Sequence, residues 1–122
     1  MITNFEDITY QLTNEERRAS KYIEALLRMT GERFTNKQIR DKLFERSGKL
    51  KEYDLPDSRI RTIINYLRRT SAPNIIASSN GYKISEDQKE LSDYLQSLQE
   101  RIEAINEIAE QTKFYLNAIK NG

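Results

Sequence analysis

Two residue types that carry much of protein chemistry are missing from this chain: its 122 residues include no cysteine and no histidine. Without cysteine there is no disulfide framework and no thiolate chemistry. Without histidine, the usual general base and the commonest metal ligand are gone. The chain also lacks a glycine-rich phosphate loop and any ligand cluster at metal-binding spacing. Its adjacent acids, Glu15-Glu16 and Glu86-Asp87, stand where helices are expected to start, and there a negative charge favours the helix dipole. These absences argue against an enzyme and imply no cofactor and no metal. No apolar run is long enough to span a bilayer, and the N-terminus lacks the basic-then-apolar pattern of a signal peptide. The expected location is the cytoplasm.

What the chain does have is charge. Hydrophobic residues make up 37% and charged residues 32%, so the core is expected to be small and the surface strongly solvated. A domain of this size buries a modest fraction of its surface, which makes oligomerisation a natural source of further stability. The net charge of +1 conceals an asymmetry. Residues 1–85 hold 16 Lys and Arg against 11 Asp and Glu, a net of +5, whereas residues 86–122 hold 4 against 8, a net of −4. A basic front part joined to an acidic tail suggests one part for a polyanion and another for a different task.

Residues 1–12 carry scattered apolar positions (Phe5, Ile8, Tyr10, Leu12) without a period, and read as an N-terminal arm. Thr13 with Glu16 forms the sequence of a capping box, which opens a helix whose core stripe is Ala19, Tyr22, Ile23, Leu26 and Leu27. Gly31 ends it. Thr35 with Gln38 opens a second helix, with Phe34 before the cap able to pack on Ile39 as a hydrophobic staple. Ile39 and Leu43 face the core, and Gly48 marks the exit. A connection of roughly ten residues follows, with Leu50, Tyr53 and Leu55 available to tack it down. Asp57 is the expected cap of a third helix that runs to about Arg69, with Ile60, Ile63, Ile64 and Leu67 on one face and Pro73 beyond its end. In IIASSNGYKI, Asn80-Gly81 predicts a hairpin with a type I′ turn, pairing Ser79 with Tyr82, Ser78 with Lys83 and Ala77 with Ile84.

Three helices, a trace of strand at Arg33-Phe34 and then a hairpin resemble the winged helix-turn-helix superfamily over residues 13–85. The resemblance rests on FTNKQIRDKL, DSRIRTIINYLRR and IIASSNGYKI in that order, and is nearest to small phage- and prophage-type DNA-binding regulators. It departs from the simple helix-turn-helix in the length of the second connection. The expected fold is mainly α with a small β-hairpin: a winged helix-turn-helix domain at 13–85 and a long coiled-coil helix at 86–122.

The resemblance implies that the third helix enters the major groove. Its residues point the same way on their own. With the isoleucines and Leu67 inward, a 100° step places Ser58, Thr62, Asn65 and Arg69 outward, flanked by Arg59, Arg61, Tyr66 and Arg68. Hydroxyls, an amide and guanidinium groups, with no carboxylate after Asp57, are the groups that read base edges and grip phosphates. Lys37 and Arg40 on the second helix, and Lys49 and Lys51 in the connection, are candidate phosphate contacts. In the wing, Ser78, Ser79, Asn80 and Lys83 suit backbone or minor-groove contacts. A net of +5 makes a single module a weak binder at physiological salt, so specificity calls for two modules held together.

From Leu91 to Ile119 a heptad runs without a slip. Leu95, Ile102, Ala109 and Leu116 take its a positions, and Leu91, Leu98, Ile105, Thr112 and Ile119 its d positions. About thirty helical residues span roughly 45 Å, longer than a small domain can cover, so pairing with a second copy is expected. Ala109 and Thr112 are weak links in the seam, while Tyr94, Ile108 and Tyr115 at g widen it. The number of strands and their direction stay open. The leading expectation is a dimeric, sequence-specific binder of double-stranded DNA, a regulator of transcription or a replication-associated protein. An interaction or assembly module on the same fold is the alternative, since fold does not dictate function.

Overall fold

A computed structural model describes residues 11–122 of the chain; the expected arm lies almost wholly outside the described residues. The chain divides into two compact units, one ending at Glu86 and one spanning Asp87–Gly122. Among the described residues the first holds three helices, α1 (Asn14–Thr30), α2 (Asn36–Arg46) and α3 (Asp57–Arg69), then a hairpin of β1 (Ile75–Ser78) and β2 (Gly81–Ile84). The second is one helix, α4 (Gln88–Asn121).

The helix starts follow from local chemistry. Thr13 and Thr35 are N-caps with complete capping boxes: each hydroxyl accepts from the amide three residues on, and the Glu16 or Gln38 side chain accepts from the cap amide at 2.9 Å. Two orphan amides are satisfied at each start. Gly31 takes φ +64° and closes α1 in the left-handed conformation, which costs glycine nothing. The third helix departs from expectation. Its cap is Pro56, without a side-chain bond, and Asp57 is the first helical residue instead.

One core joins the three helices to the hairpin. Ile23, Leu27, Ile39, Ile60, Ile63, Ile64, Leu67 and Ile75 are essentially sealed from water. Phe34 and Ile39 are both buried in this cluster, which suits the staple geometry. Leu12, at the edge of the described residues, is buried in it too. The second connection turns through a single 3-10 turn, Lys51–Tyr53. Tyr53 and Leu55 pack on the core, whereas Leu50 stays 51% exposed and does not tack the loop down.

The hairpin register differs from the expected one. Ile75 pairs with Ile84, Ile76 with Lys83, Ala77 with Tyr82 and Ser78 with Gly81, so the turn residues are Ser79 and Asn80. Neither has positive φ; that role falls to Gly81, at +115°. The reason is tertiary. Phe34 forms a bridge with Tyr82, its amide donating to the Tyr82 carbonyl at 2.9 Å and the Tyr82 amide returning the bond at 2.8 Å. A Cβ on Gly81 would lie 2.2 Å from the Phe34 carbonyl oxygen. The glycine is needed where two backbones meet, and the turn shifts back by one residue.

In the second unit Asp87 caps α4, its carboxylate accepting from the Lys89 amide at 3.2 Å. The helix has 34 residues and none is buried. Among the described residues no helix is long and apolar enough to cross a membrane.

Candidate nucleic-acid interface

The hairpin, the start of α2 and the start of α3 converge on one surface of the first unit. A cleft of about 280 Å³ lies there, lined by Thr35, Asn36, Lys37, Asp57, Ser78, Ser79, Gly81 and Tyr82. Strand alternation explains which hairpin residues take part. Tyr82 and Ile84 share a face and pack against the core, so Lys83 and its cross-strand partner Ile76 lie on the opposite face. Lys83, expected beside Ser79 and Asn80 as a contact, is thus turned away from the Tyr82 side.

Tyr82 is the hinge of this surface. Burial raises its hydroxyl pKa above the usual phenol value, against the opposing charges of Arg61 and Arg68 and a hydrogen bond from the Asn36 side chain. Both arginines therefore stand close enough to the hairpin to act on it. Arg61 is exposed and makes no hydrogen bond or ion pair with any described residue, so its guanidinium keeps all its donors for a ligand. The Asn36 Oδ1 is buried without a hydrogen-bond partner among the described residues.

The other expected residues divide. Ser58 lies exposed in the first turn of α3, Asn65 is half-buried, and Arg69 is exposed with its Nε donating to the Asn65 carbonyl at 3.3 Å. Ser79 and Asn80 are exposed at the hairpin tip. Lys37 is exposed and pairs with Asp41 at 3.1 Å; Arg40 pairs with Asp57 at 3.5 Å. Such surface pairs are weak and give way readily to a stronger anion. Lys49 and Lys51 are exposed in the connection.

Two expected contacts are corrected. Thr62 is only 5% exposed, and its hydroxyl donates to the Ser58 carbonyl one turn back at 2.9 Å. The hydroxyl is satisfied within the helix and offers nothing outward. Arg59 points to α1, where Nε and Nη2 reach the two Glu16 oxygens at 2.5 and 2.6 Å. Glu16 is buried, and this fork from Arg59 leads the causes that hold its pKa below the usual glutamate value, against the cost of burial and with help from Thr13. Arg59 therefore clamps the start of α3 to the start of α1.

Three residues owe their part in this region to partners remote in sequence. Glu16 reads as a capping-box residue, and it is one; its second task depends on a partner 43 positions away. Arg33 donates to the Ser78 hydroxyl at 2.8 Å and bonds the Gly81 carbonyl at 3.4 Å, bracing the hairpin tip. Asn36 follows a cap and lies on no apolar stripe. Only contact across the fold distinguishes any of them.

Comparison with protein-family models, curated proteins and solved structures finds no match to this chain. The functional reading therefore rests on the residues themselves.

Proposed function

We propose that the chain is a sequence-specific binder of double-stranded DNA with a winged helix-turn-helix first unit, working as a pair of copies joined through α4. The observation that carries the reading is the surface of α3 and the hairpin. Arg61, Ser58, Asn65, Arg69, Ser79 and Asn80 are accessible on elements whose opposite sides are sealed in the core. After Asp57, α3 has no carboxylate to repel a phosphate. A helix of this kind inserts into the major groove, where Asn and Arg side chains match base edges and serine hydroxyls bond to phosphate. The tip residues then lie beside the groove in the manner of a wing. A regulator of transcription is the role that best fits a small dimeric reader.

Titration of the full chain with duplexes of varied sequence, at low and moderate salt, tests this. Arg61→Ala is expected to cost about 1–3 kcal/mol and relax the preference at one base position. Lys37→Ala should weaken all duplexes alike and lower the salt slope by about one. Absence of binding at low salt, or indifference to Arg61→Ala combined with Asn65→Ala, would overturn the reading.

A further inference from the structure

The long helix carries a stripe that is too wide and too uneven for one of the two ways it could pair. Leu95, Ile102, Ile105, Ile108, Tyr115, Leu116 and Ile119 are each 48–70% exposed on α4. Ile108 and Tyr115 occupy g positions, beside the a and d seam. The heptad also contains two weak links within one turn, Ala109 at a and Thr112 at d. The carboxylates of this helix, Glu90, Asp93, Glu100, Glu103, Glu107 and Glu110, lie at b, c and f positions outside the seam.

From these features we infer that α4 pairs with α4 of a second copy in antiparallel, two-stranded fashion; the inference rests on the self-pairing proposed above and adds its direction. A parallel, in-register pair sets a against a and d against d. Ala109 would then face Ala109 and Thr112 face Thr112, two thin layers in succession. The g residues would face e of the second copy, which sets Ile108 against Lys113 and Tyr115 against Lys120. Running oppositely, a meets d. The two registers that overlap most of the seam seat Ala109 opposite Leu98 or Ile105 of the second copy, and Thr112 opposite Leu95 or Ile102. Each small residue then packs on a large one, as close packing requires. The g positions face one another in this arrangement, which covers Ile108 and Tyr115.

The direction has a consequence for what the pair holds. In those registers the two α4 starts lie about 45–57 Å apart at 1.5 Å per residue, rather than side by side. That exceeds the roughly 34–36 Å of one duplex turn.

The chain has no cysteine, so single cysteines can be introduced for spin labels at e positions: Ser92→Cys, Asn106→Cys or Lys120→Cys. Dipolar distances are read on the full chain after its mass in solution is measured. The antiparallel pair gives roughly 35–45 Å for the first and 40–50 Å for the last, with the middle label under about 20 Å. Short distances at all three sites would overturn the direction while leaving self-pairing intact. A mass of four chains would overturn the two-stranded form. A single-chain mass with no dipolar signal would overturn self-pairing itself and the direction with it.

Discussion

Ile63 and Ile105 carry the same side chain, and each lies on the apolar line of an amphipathic helix. Ile63, in α3, is wholly buried, whereas Ile105, in α4, is 63% exposed. The contrast extends to the elements. α3 lays Ile60, Ile63, Ile64 and Leu67 against α1 and α2, and the three helices close one core. α4 is 34 residues long, about 50 Å at the standard rise, and none of its residues is buried. An apolar stripe states only that a surface needs covering. Whether the cover is another element of the same chain depends on length and on what the chain can bring within reach.

Substitution at these two isoleucines is the strongest way to break the comparison. Ile63→Ala should destabilise the first unit by about 2–5 kcal/mol, read as a lower denaturation midpoint, because it leaves a cavity in a sealed core. Ile105→Ala should leave the stability of the first unit unchanged and instead weaken self-association, measured by sedimentation against concentration. Equal loss of first-unit stability in both variants would show that the two helices are covered alike.

The clamp between α1 and α3 is next in size. Glu16→Gln removes the buried carboxylate on which the Arg59 fork closes and should cost about 3 kcal/mol, the low end for breaking a buried pair, since Arg59 keeps some contact with water. The sign of the pH effect follows from the lowered pKa of Glu16. Its contribution is fully present above the usual glutamate value and is lost as the pH falls through the lower, folded-state value. Melting temperature against pH should therefore decline more steeply on the acid side for the native chain than for Glu16→Gln.

Two glycines sharpen the picture of the first unit further. Gly81→Ala combines positive φ with a clash against the Phe34 carbonyl and should cost roughly 2–3 kcal/mol. Gly31 also has positive φ, but nothing lies within 4 Å of its would-be Cβ. Gly31→Ala should thus cost only about 1 kcal/mol, the left-handed penalty alone. Thermal melts of the two variants compare them directly.

The smallest effects belong to the caps. Thr13→Ala and Thr35→Ala should each lose about 1 kcal/mol. The corresponding change in the second unit, Asp87→Ala, should lower the helical signal in circular dichroism slightly and leave first-unit stability unaltered.

Features set by neighbours in sequence were legible before any fold was known. Both capping boxes lie within four residues, and Gly31 closes α1 for a reason internal to the chain. The inner face of α3 follows from a 3.6-residue period, and it is the face that is buried. Where the structure departs from the local pattern, the deciding partner is distant. Asn80-Gly81 has the composition of a type I′ turn, yet Gly81 is required where β2 meets Phe34, 47 residues earlier in the chain. The helical step points Thr62 outward, but what packs over a helix face is not set by that angle, and Thr62 is buried. Arg59 looked like one more surface cation until Glu16 supplied a buried carboxylate. Of the candidate contacts, Ser58, Arg61, Arg69, Ser79 and Asn80 are accessible where outward placement put them.

Residue order alone thus determined where α1 and α2 begin, which side of α3 is apolar, and that α4 carries a seam too long for a small core, because hydrogen-bond capping and helical periodicity act over a few residues. Tertiary structure decided the hairpin register, the engagement of Arg59, the burial of Thr62 and the convergence of the hairpin with the starts of α2 and α3. Those outcomes turn on close approach between segments remote in sequence, where a single carbonyl or carboxylate a few ångströms away outweighs any local preference.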